Sequence, residues 1–313
     1  MLRHRRPIAR AAPRRMTGLV AALLLLGAGP ALAQELSPRA YWPAPRGTQI
    51  LVFGYQYASG DIVSDPSLPV TGVDSRISTG IVAYQRTTAF AGRTTNLQLE
   101  LPYTSGTTTG TYLGQDARAD VSGLGDLAAT VSINLLGAPA MDRAAFREWV
   151  RSAPPILAVS LKVVAPTGEY DPAKLINIGT NRWAGRVQLG YIQPLGNRWA
   201  LEAAVAAWFF GDNTEFLGTT REQNRITAFE AHAVKLFRSG LWTSLDWNYY
   251  TGGRTVVDGN LKADFQRNSR AGFTVAYPFA RRHVIKAGYS GGVVTESGGD
   301  FSKFVLSYAV RLD

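Results

Sequence analysis

The sequence predicts an all-β fold, a transmembrane antiparallel up-and-down β-barrel of about twelve strands. Three observations favour this fold. Apolar and polar residues alternate along most segments, long and short connections alternate between those segments, and the chain begins with an export signal. After that signal the longest charge-free apolar run, AAVAAWFFG, is less than half as long as a transmembrane helix requires. Any membrane span is therefore expected to consist of strands.

Residues 1–33 have the composition of a secretory signal peptide. The basic stretch MLRHRRPIARAAPRR precedes a short apolar run, and small residues at Ala31 and Ala33 precede the expected cleavage after Ala33. Met16 is an alternative start, because the basic stretch is longer than such a leader needs. The pair of arginines at 14 and 15 leaves twin-arginine export open, although the Sec route is favoured. The predicted destination is the bacterial outer membrane.

The mature chain has little net charge. The leader holds six arginines and no acids, which leaves 27 basic and 23 acidic residues, a net charge of +4. This balance does not indicate a nucleic-acid partner. No cysteine is present, so disulfides do not contribute to stability. Residues 48–313 contain no linker and are expected to form one barrel domain, preceded by a Pro-rich segment at 34–47.

The predicted strands are about ten residues long, which suffices for a tilted strand to cross a bilayer. The faces of the second strand, which is rich in Ser and Thr, stay unassigned. The twelve strands are predicted to start near Thr48, Arg76, Thr94, Gly125, Ile156, Arg182, Trp199, Arg225, Leu241, Asn268, His283 and Ser302.

Residues 181–193, NRWAGRVQLGYIQ, show the two faces of a strand most clearly. Trp183, Val187, Leu189 and Tyr191 share one parity, and Arg182, Arg186 and Gln188 share the other. This alternation fits either a soluble barrel with an apolar core or a membrane barrel with an apolar exterior. The export signal, the even strand number and the alternating connections favour the second, so the apolar parity is expected to face lipid.

The connections differ in length and charge at the two ends of the predicted barrel. Four links after even strands are tight turns, and the fifth, residues 137–155, is predicted to contain a short periplasmic amphipathic helix near 139–152. This helix is expected to lie at the membrane rim, with docking to a partner as the lesser alternative. The six long links hold fourteen acids and six bases. Divalent cations at these external loops are a candidate partner, and solvated loop acids are an equally weighted alternative. The long links are residues 60–75, 104–122, 166–180, 211–224, 251–267 and 291–300.

Charged and polar residues on the inward parity are candidates for lumen or selectivity sites. Because unpaired buried charge is costly, opposite charges are expected to pair across the interior. They either form a plug of ion pairs in a narrow barrel, which is slightly favoured, or a charged constriction that selects small solutes. These candidates are Glu100, Lys162, Arg182, Arg186, Gln188, Glu202, Glu230, His232, Asp246, Arg270 and Lys286.

The Pro-rich segment at 34–47 is a second candidate stopper. Its prolines disfavour strand pairing, while Tyr41 and Trp42 provide aromatic surface to bury. Either the segment lies in the periplasmic mouth as a gate, which is favoured, or it is a disordered tether.

The sequence offers little chemistry for catalysis. Only His232 and His283 follow the leader, and a single histidine in a barrel wall is more often a polar lumen residue than a base. No cysteines or paired histidines suggest a metal site. Neither an enzymatic activity nor a cofactor is predicted.

Five motifs resemble an outer-membrane family named for the meta-cleavage pathway of phenol degradation. The likeness runs from about Tyr41 to the C-terminus, and membership implies a β-barrel that carries small, often aromatic, molecules. The resemblance suggests a passive channel, with outer-membrane lipid, a small solute and the barrel-assembly machinery as partners. The alternative is a non-transporting structural or adhesive barrel. The motifs are APTGEYD (165–171), INIGTNRW (176–183), WFFGDNTEFLG (208–218), YYTGGRTVVDG (249–259) and YSGGVVTESGGDF (289–301).

Overall fold

The computed structural model describes residues 37–62, 70–112, 114–174, 176–295 and 300–313. The predicted signal peptide and residues 34–36 lie outside the described residues. Apart from a single 3₁₀ turn at Val150–Ser152, directly after the helix, the described residues form seventeen strands and one short α-helix. They are β1 Gln49–Asp61, β2 Val70–Phe90, β3 Arg93–Tyr112, β4 Gln115–Leu124, β5 Ala128–Leu136, α1 Arg143–Trp149, β6 Ile156–Val164, β7 Ala184–Leu195, β8 Trp199–Phe210, β9 Asn213–Phe216, β10 Thr219–Gln223, β11 Ile226–Leu236, β12 Trp242–Gly252, β13 Thr255–Val257, β14 Asn260–Leu261, β15 Gln266–Ala280, β16 His283–Thr295 and β17 Asp300–Arg311.

The long strands close into a barrel in which every neighbouring pair is antiparallel. β1 pairs with β2 on one side and with the last strand, β17, on the other. β4 and β5 both pair with β3, at different heights, and together occupy one position in the wall. The wall therefore has twelve positions, which confirms the predicted up-and-down barrel.

The outer surface is apolar along the strands, as the alternation predicts. Trp183, Val187, Leu189 and Tyr191 all point outward, while Arg182, Arg186 and Gln188 are buried. Because a soluble barrel would have the opposite arrangement, these exposed side chains form the surface that contacts lipid. The second strand, β2, has the same division into an outward and an inward face, and the small residues Ser75, Ala83 and Thr87 are buried on the inward face. Other exposed apolar residues include Leu97, Leu99, Leu101, Tyr103, Leu161, Leu201, Leu245, Trp247, Phe273, Tyr277, Phe304 and Leu306.

The connections define two ends, here named the turn end and the loop end. Both described chain ends and the tight turns, such as the one after Phe90, lie at the turn end. Helix α1 lies in the connection from β5 to β6, where Asp142 caps it by accepting a hydrogen bond from the Ala145 amide at 2.8 Å. Within the described ranges, no helix is long and apolar enough to cross a bilayer.

At the loop end the strands extend further than the sequence predicts. Within the predicted loop at 104–122, residues 104–112 belong to β3 and residues 115–122 to β4, and the two strands form a hairpin. The predicted fourth strand, starting near Gly125, corresponds to β5, while β4 precedes it largely within the predicted loop and a break at 125–127 separates the two. The outward positions of β4 carry Asp116, Arg118 and Asp120, whereas Ala117, Ala119 and Val121 on the other parity pack against Ile176. These strand ends therefore lack the apolar outward parity that contact with lipid requires. In addition, β9, β10, β13 and β14 form a separate small sheet beyond the barrel.

Candidate functional site

The lumen is the candidate functional site, and it contains three layers. Two apolar clusters enclose a middle layer of buried polar and charged residues. The turn-end cluster consists of Tyr41, Ile156, Ala158, Ile192, Ala200 and Val234, with Trp42, Trp149, Leu236 and Trp242 packed against it. The loop-end cluster consists of Ala128, Val164, Ala184, Ala206, Trp208, Ile226, Ala228 and Tyr250, with Phe210 packed against it.

His232 lies at the centre of the polar layer. The strand register places it opposite Glu202 on β8 and Asp246 on β12. Its Nδ1 lies 2.8 Å from Asp246 Oδ1, and its Nε2 lies 3.5 Å from Glu230 Oε2. The other oxygen of Asp246 accepts a hydrogen bond from Thr274 Oγ1 at 2.7 Å. Two carboxylates therefore hold one imidazole in the interior, where an ionised carboxylate without a partner would be costly.

A second ion pair crosses the lumen wall between β3 and β6. Lys162 Nζ lies 2.8 Å from Glu100 Oε2, and the lysine is almost fully buried. The pair satisfies the requirement that buried opposite charges neutralise each other. Arg186 and Arg182 instead lie over aromatic rings, with their guanidinium carbons 5.3 Å from the Trp208 centroid and 4.8 Å from the Phe210 centroid. These contacts are cation–π interactions with the loop-end cluster.

The other predicted lumen residues differ in how deeply they are buried and in where they lie along the barrel. Arg270 is fully buried, stacks over Phe301 at 4.0 Å and donates to Ser290 Oγ at 3.3 Å. Gln188 is buried, whereas Glu100 and Lys286 are half-buried. Arg182 precedes β7 and contacts Gln223, so it lies at the loop end of the lumen.

The segment before β1 enters the lumen at the turn end. The hydroxyl of Tyr41 lies 3.0 Å from Ser160 Oγ, and its carbonyl accepts a hydrogen bond from Asn134 Nδ2 at 3.0 Å. The Tyr41 ring packs on the backbone of Gly190, where an added Cβ would overlap the ring. Glycine at this position of β7 therefore makes room for the tyrosine.

The carboxylate of Glu202 binds residues on either side of Tyr41 in this segment. Glu202 accepts hydrogen bonds from the Arg39 amide and from Trp42 Nε1, both at 2.7 Å. The Arg39 guanidinium lies between two indole rings, 4.7 Å from the Trp42 centroid and 5.3 Å from that of Trp242. Charge-assisted hydrogen bonds and cation–π contacts thus fix residues 39–42 inside the mouth of the barrel.

Helix α1 lies across the same mouth at the turn end. Trp149 packs edge-to-face against Trp42, with ring centroids 6.2 Å apart, and its Nε1 donates to the Gly137 carbonyl at 2.7 Å. The apolar face predicted for this helix therefore contacts the N-terminal segment through Trp149, while Val150 is exposed.

A comparison with known protein families matches the barrel region of this chain. A family model described as "Putative MetA-pathway of phenol degradation" matches residues 55–308. The chain belongs to this family. The match covers most of the chain and agrees with the resemblance carried by the five motifs. No curated protein sequence is significantly similar to this family member.

Two solved structures share the barrel fold of this family member. An outer membrane channel from Pseudomonas putida is 21% identical, with a TM-score of 0.73, and the alignment covers 89% of this chain and 100% of that one. The transport unit of the autotransporter AIDA-I from Escherichia coli is 10% identical, with a TM-score of 0.50 and coverage of 90% and 95%. Together with the apolar exterior, the shared fold identifies the chain as a β-barrel of the bacterial outer membrane.

Two motifs that carried the resemblance to the phenol-degradation family form a latch at the loop end. Asp126, in the break between β4 and β5, accepts hydrogen bonds from the Gly168 amide at 2.8 Å and from the amide and hydroxyl of Thr180 at 2.9 and 2.6 Å. Gly168 and Gly179 lie against each other so closely that a Cβ on either would contact backbone within 3 Å. The connection from β6 to β7 is thereby fixed to the interrupted strand.

The latch and the loop-end cluster were not predicted as site features. Trp208 and Phe210 share the parity of Glu202 on β8, so their inward direction was present in the sequence as a signal. Asp126 carried no comparable signal, because its partners lie more than forty residues away. Across the described ranges, no group of three or more His, Cys, Asp or Glu side chains has a geometry suited to a metal ion.

Proposed function

We propose that this protein is a passive outer-membrane channel for a small hydrophobic or aromatic molecule, with residues 37–47 acting as a stopper in its periplasmic mouth. The observation that carries this proposal is the insertion of Tyr41 and Trp42 into the lumen, where Glu202 binds Trp42 and Ser160 and Asn134 bind Tyr41. A segment that fills the lumen can regulate solute passage, which a structural protein that transports nothing does not require. Short turns and chain ends face the periplasm in outer-membrane barrels, which assigns the turn end to that side.

The chemistry of the loop-end cluster supports the substrate class. A solute that enters from outside meets the rings of Trp208, Phe210 and Tyr250 before it reaches the charged layer. Such rings bind apolar and aromatic molecules through stacking and burial of surface. The description of the family refers to phenol degradation, and the Pseudomonas putida protein of the same fold is named an outer membrane channel.

The stopper is built so that it can leave without damage to the wall. Residues 37–47 contribute no strand to the barrel, and among the described residues their covalent connection to the wall is through β1. Truncation of a packed Trp to Ala removes about 3 kcal/mol or more of contact energy. If Trp42 holds the stopper in place, its loss shifts the ratio of open to closed channels by roughly a hundredfold.

Planar-bilayer recording of the purified protein tests the stopper. We expect brief, rare openings in the wild type and long openings in Trp42→Ala and in Gly190→Val, whose new side chain displaces the Tyr41 ring. Trp199→Ala is the matched control for the first variant, because Trp199 faces outward at the same end. Gly185→Val is the control for the second variant. Gly185 lies on the same strand as Gly190, and a Cβ added there would make only an ordinary van der Waals contact.

The rival function is a structural or adhesive barrel that transports nothing. It predicts that both stopper variants stay as silent as the wild type, and that uptake of a radiolabelled monoaromatic compound by porin-deficient cells does not depend on the protein. An enzymatic role is not part of the proposal. Both ring nitrogens of His232 contact carboxylates, so His232→Ala is expected to leave ester hydrolysis at background.

A further inference from the structure

A groove of about 670 Å³ opens on the outer surface at the loop end, outside the lumen. Its floor contains Phe209, Thr227 and Thr251, which lie at the outer ends of β8, β11 and β12. The register pairs Thr227 with Thr251, and Phe209 is half exposed on the lipid-facing side of the wall. The groove therefore opens toward the membrane and its surface layer. Its volume lies within the range of sites that hold small molecules.

Two arginines line this groove at fixed positions. The Arg225 carbonyl accepts a hydrogen bond from the Gly253 amide at 3.0 Å, and the Arg254 carbonyl accepts one from the Asn224 amide at 2.9 Å. These reciprocal bonds hold the two arginines on adjacent chain segments, at the ends of β11 and β12. The Arg254 guanidinium lies 5.5 Å from the centroid of Phe265, which also lines the groove. Arg267 stacks on the same ring at 5.4 Å.

Within the part of the chain that the structure describes, Asp264, a buried acid in the same connection, has its hydrogen bonds with Thr255 and not with the groove arginines. Asp264 accepts hydrogen bonds from the amide and hydroxyl of Thr255 at 2.9 and 2.6 Å and is buried there. The Nε of Arg254 is buried and has no hydrogen-bond partner among the described residues. A buried donor of this kind favours an anionic acceptor. The surrounding long links are mainly acidic, so this concentration of arginines stands apart from the rest of the loop end.

We propose that this groove binds the phosphorylated head group of an outer-leaflet lipid. Guanidinium groups pair with phosphate through two parallel hydrogen bonds, and basic pockets at the membrane surface bind phosphorylated lipid head groups. The lipid-facing floor selects a ligand that arrives from the membrane, because Phe209 would contact the first part of its apolar chains. This site is independent of transport through the lumen.

Native mass spectrometry of the purified full-length protein in detergent tests the site. The probes are diphosphoryl lipid A, the same lipid after dephosphorylation, and inorganic phosphate. We expect one tightly bound diphosphoryl lipid per chain, and about tenfold weaker binding for Arg225→Gln, for Arg254→Gln and for the dephosphorylated lipid, since each loses a charge-assisted bond. Arg118→Gln is the matched control, because Arg118 lies on the β3–β4 hairpin and is paired with Asp120 at 2.9 Å.

Three results overturn the proposal: equal affinity for the dephosphorylated lipid, no change in either groove variant, or displacement of the lipid by millimolar inorganic phosphate. The last result would identify a free-anion site instead. Heat-modifiable gel mobility confirms that each variant is folded. Arg225 is exposed, so Arg225→Gln is expected to fold. This variant can therefore test the site even if Arg254→Gln fails to fold. Bilayer conductance of Arg225→Gln is expected to equal that of the wild type. The lipid-binding measurement and the conductance measurement therefore test the lipid site and the channel separately.

Discussion

The two ends of the barrel are covered in different ways. At the turn end, a segment that precedes the first strand inserts into the lumen and is held by side chains, above all by Glu202. At the loop end, the connection from β6 to β7 folds over the wall and is held by backbone amides bonded to Asp126. Ile176 of this connection packs on Val73 of β2 and on residues of β4.

This difference indicates which cover can move. The connection at the loop end is anchored by a strand on each side and by close contact of glycine backbones, so its displacement would disturb the wall. Within the described residues, the N-terminal segment is connected to a barrel strand on one side only, through β1, and is otherwise held by side-chain contacts. Low-stability elements are generally those that move, and a segment with one anchor and few strand contacts fits that description. Mutations at the two ends are therefore expected to differ in their effects on stability.

The largest effect on stability is expected for Asp126→Ala. The substitution removes three hydrogen bonds to a buried carboxylate, which we expect to lower the free energy of unfolding by about 3 kcal/mol. Asp126→Asn retains an acceptor for the Gly168 amide and should lose roughly half as much. Denaturant unfolding in detergent micelles measures both. Asp120→Ala is the control, because Asp120 is exposed on the adjacent strand. Equal stability of Asp126→Ala and Asp120→Ala would show that the latch contributes nothing.

Gly168→Ala is expected to have the next largest effect. Its Cβ would lie 2.8 Å from backbone atoms of Gly125 and Gly179, and neither backbone can move without disturbing the break in the wall. Overpacking of this kind costs about 1 to 3 kcal/mol. The control is Gly196→Ala at a tight turn, where an added Cβ meets nothing within 4 Å. If thermal unfolding midpoints of the two variants coincide, the glycine contact is not a structural requirement.

The smallest effect is expected at the turn end, for Asp313→Asn. Partial burial of Asp313 acts to raise its pKa, but hydrogen bonds from Arg143 and from the Gln49 amide outweigh it, and the pKa is lowered. A carboxylate with a lowered pKa stabilises the fold above its unfolded pKa, and this contribution is lost as the pH falls through the folded pKa. At pH 7 the variant should lose less than about 1 kcal/mol, because Arg143 is exposed.

The pH dependence distinguishes this charge effect from a packing effect. The unfolding curves of wild type and Asp313→Asn should converge once the pH falls below the unfolded value of about 3.9 and through the lowered folded value. Asp258→Asn at the loop end is the control. A difference between wild type and Asp313→Asn that persists unchanged at low pH would contradict the interpretation.

Alternation along single strands was sufficient to predict most of the fold. It assigned the lipid-facing side of β7 correctly, because lipid demands an unbroken apolar parity. It did not predict the extensions of β2 to β4, since the outward parity there carries residues such as Asp116, Arg118 and Asp120 and not the apolar residues that lipid requires. The same reason explains why the small sheet of β9, β10, β13 and β14 was read as loops.

The lumen was less accessible to prediction from sequence. Charged residues such as Lys162 and Asp246 were identified as inward, because charge is excluded from the opposite face. The ring of Trp208 was not, since an apolar residue on the inward parity resembles a break in the pattern. Contacts such as those of Glu202 with Trp42 join positions 160 residues apart, and no local pattern encodes them.

The seam between the first and last strands carries a consequence for biogenesis. β1 and β17 pair over twelve residues, from Ile50 with Arg311 to Asp61 with Asp300. Because β17 completes the ring, the polypeptide must be synthesised and exported through β17 before either exposed sheet edge is satisfied. Until then both edges are competent for aggregation. Termination before or within β17 should therefore yield material for periplasmic proteolysis and not a shortened barrel.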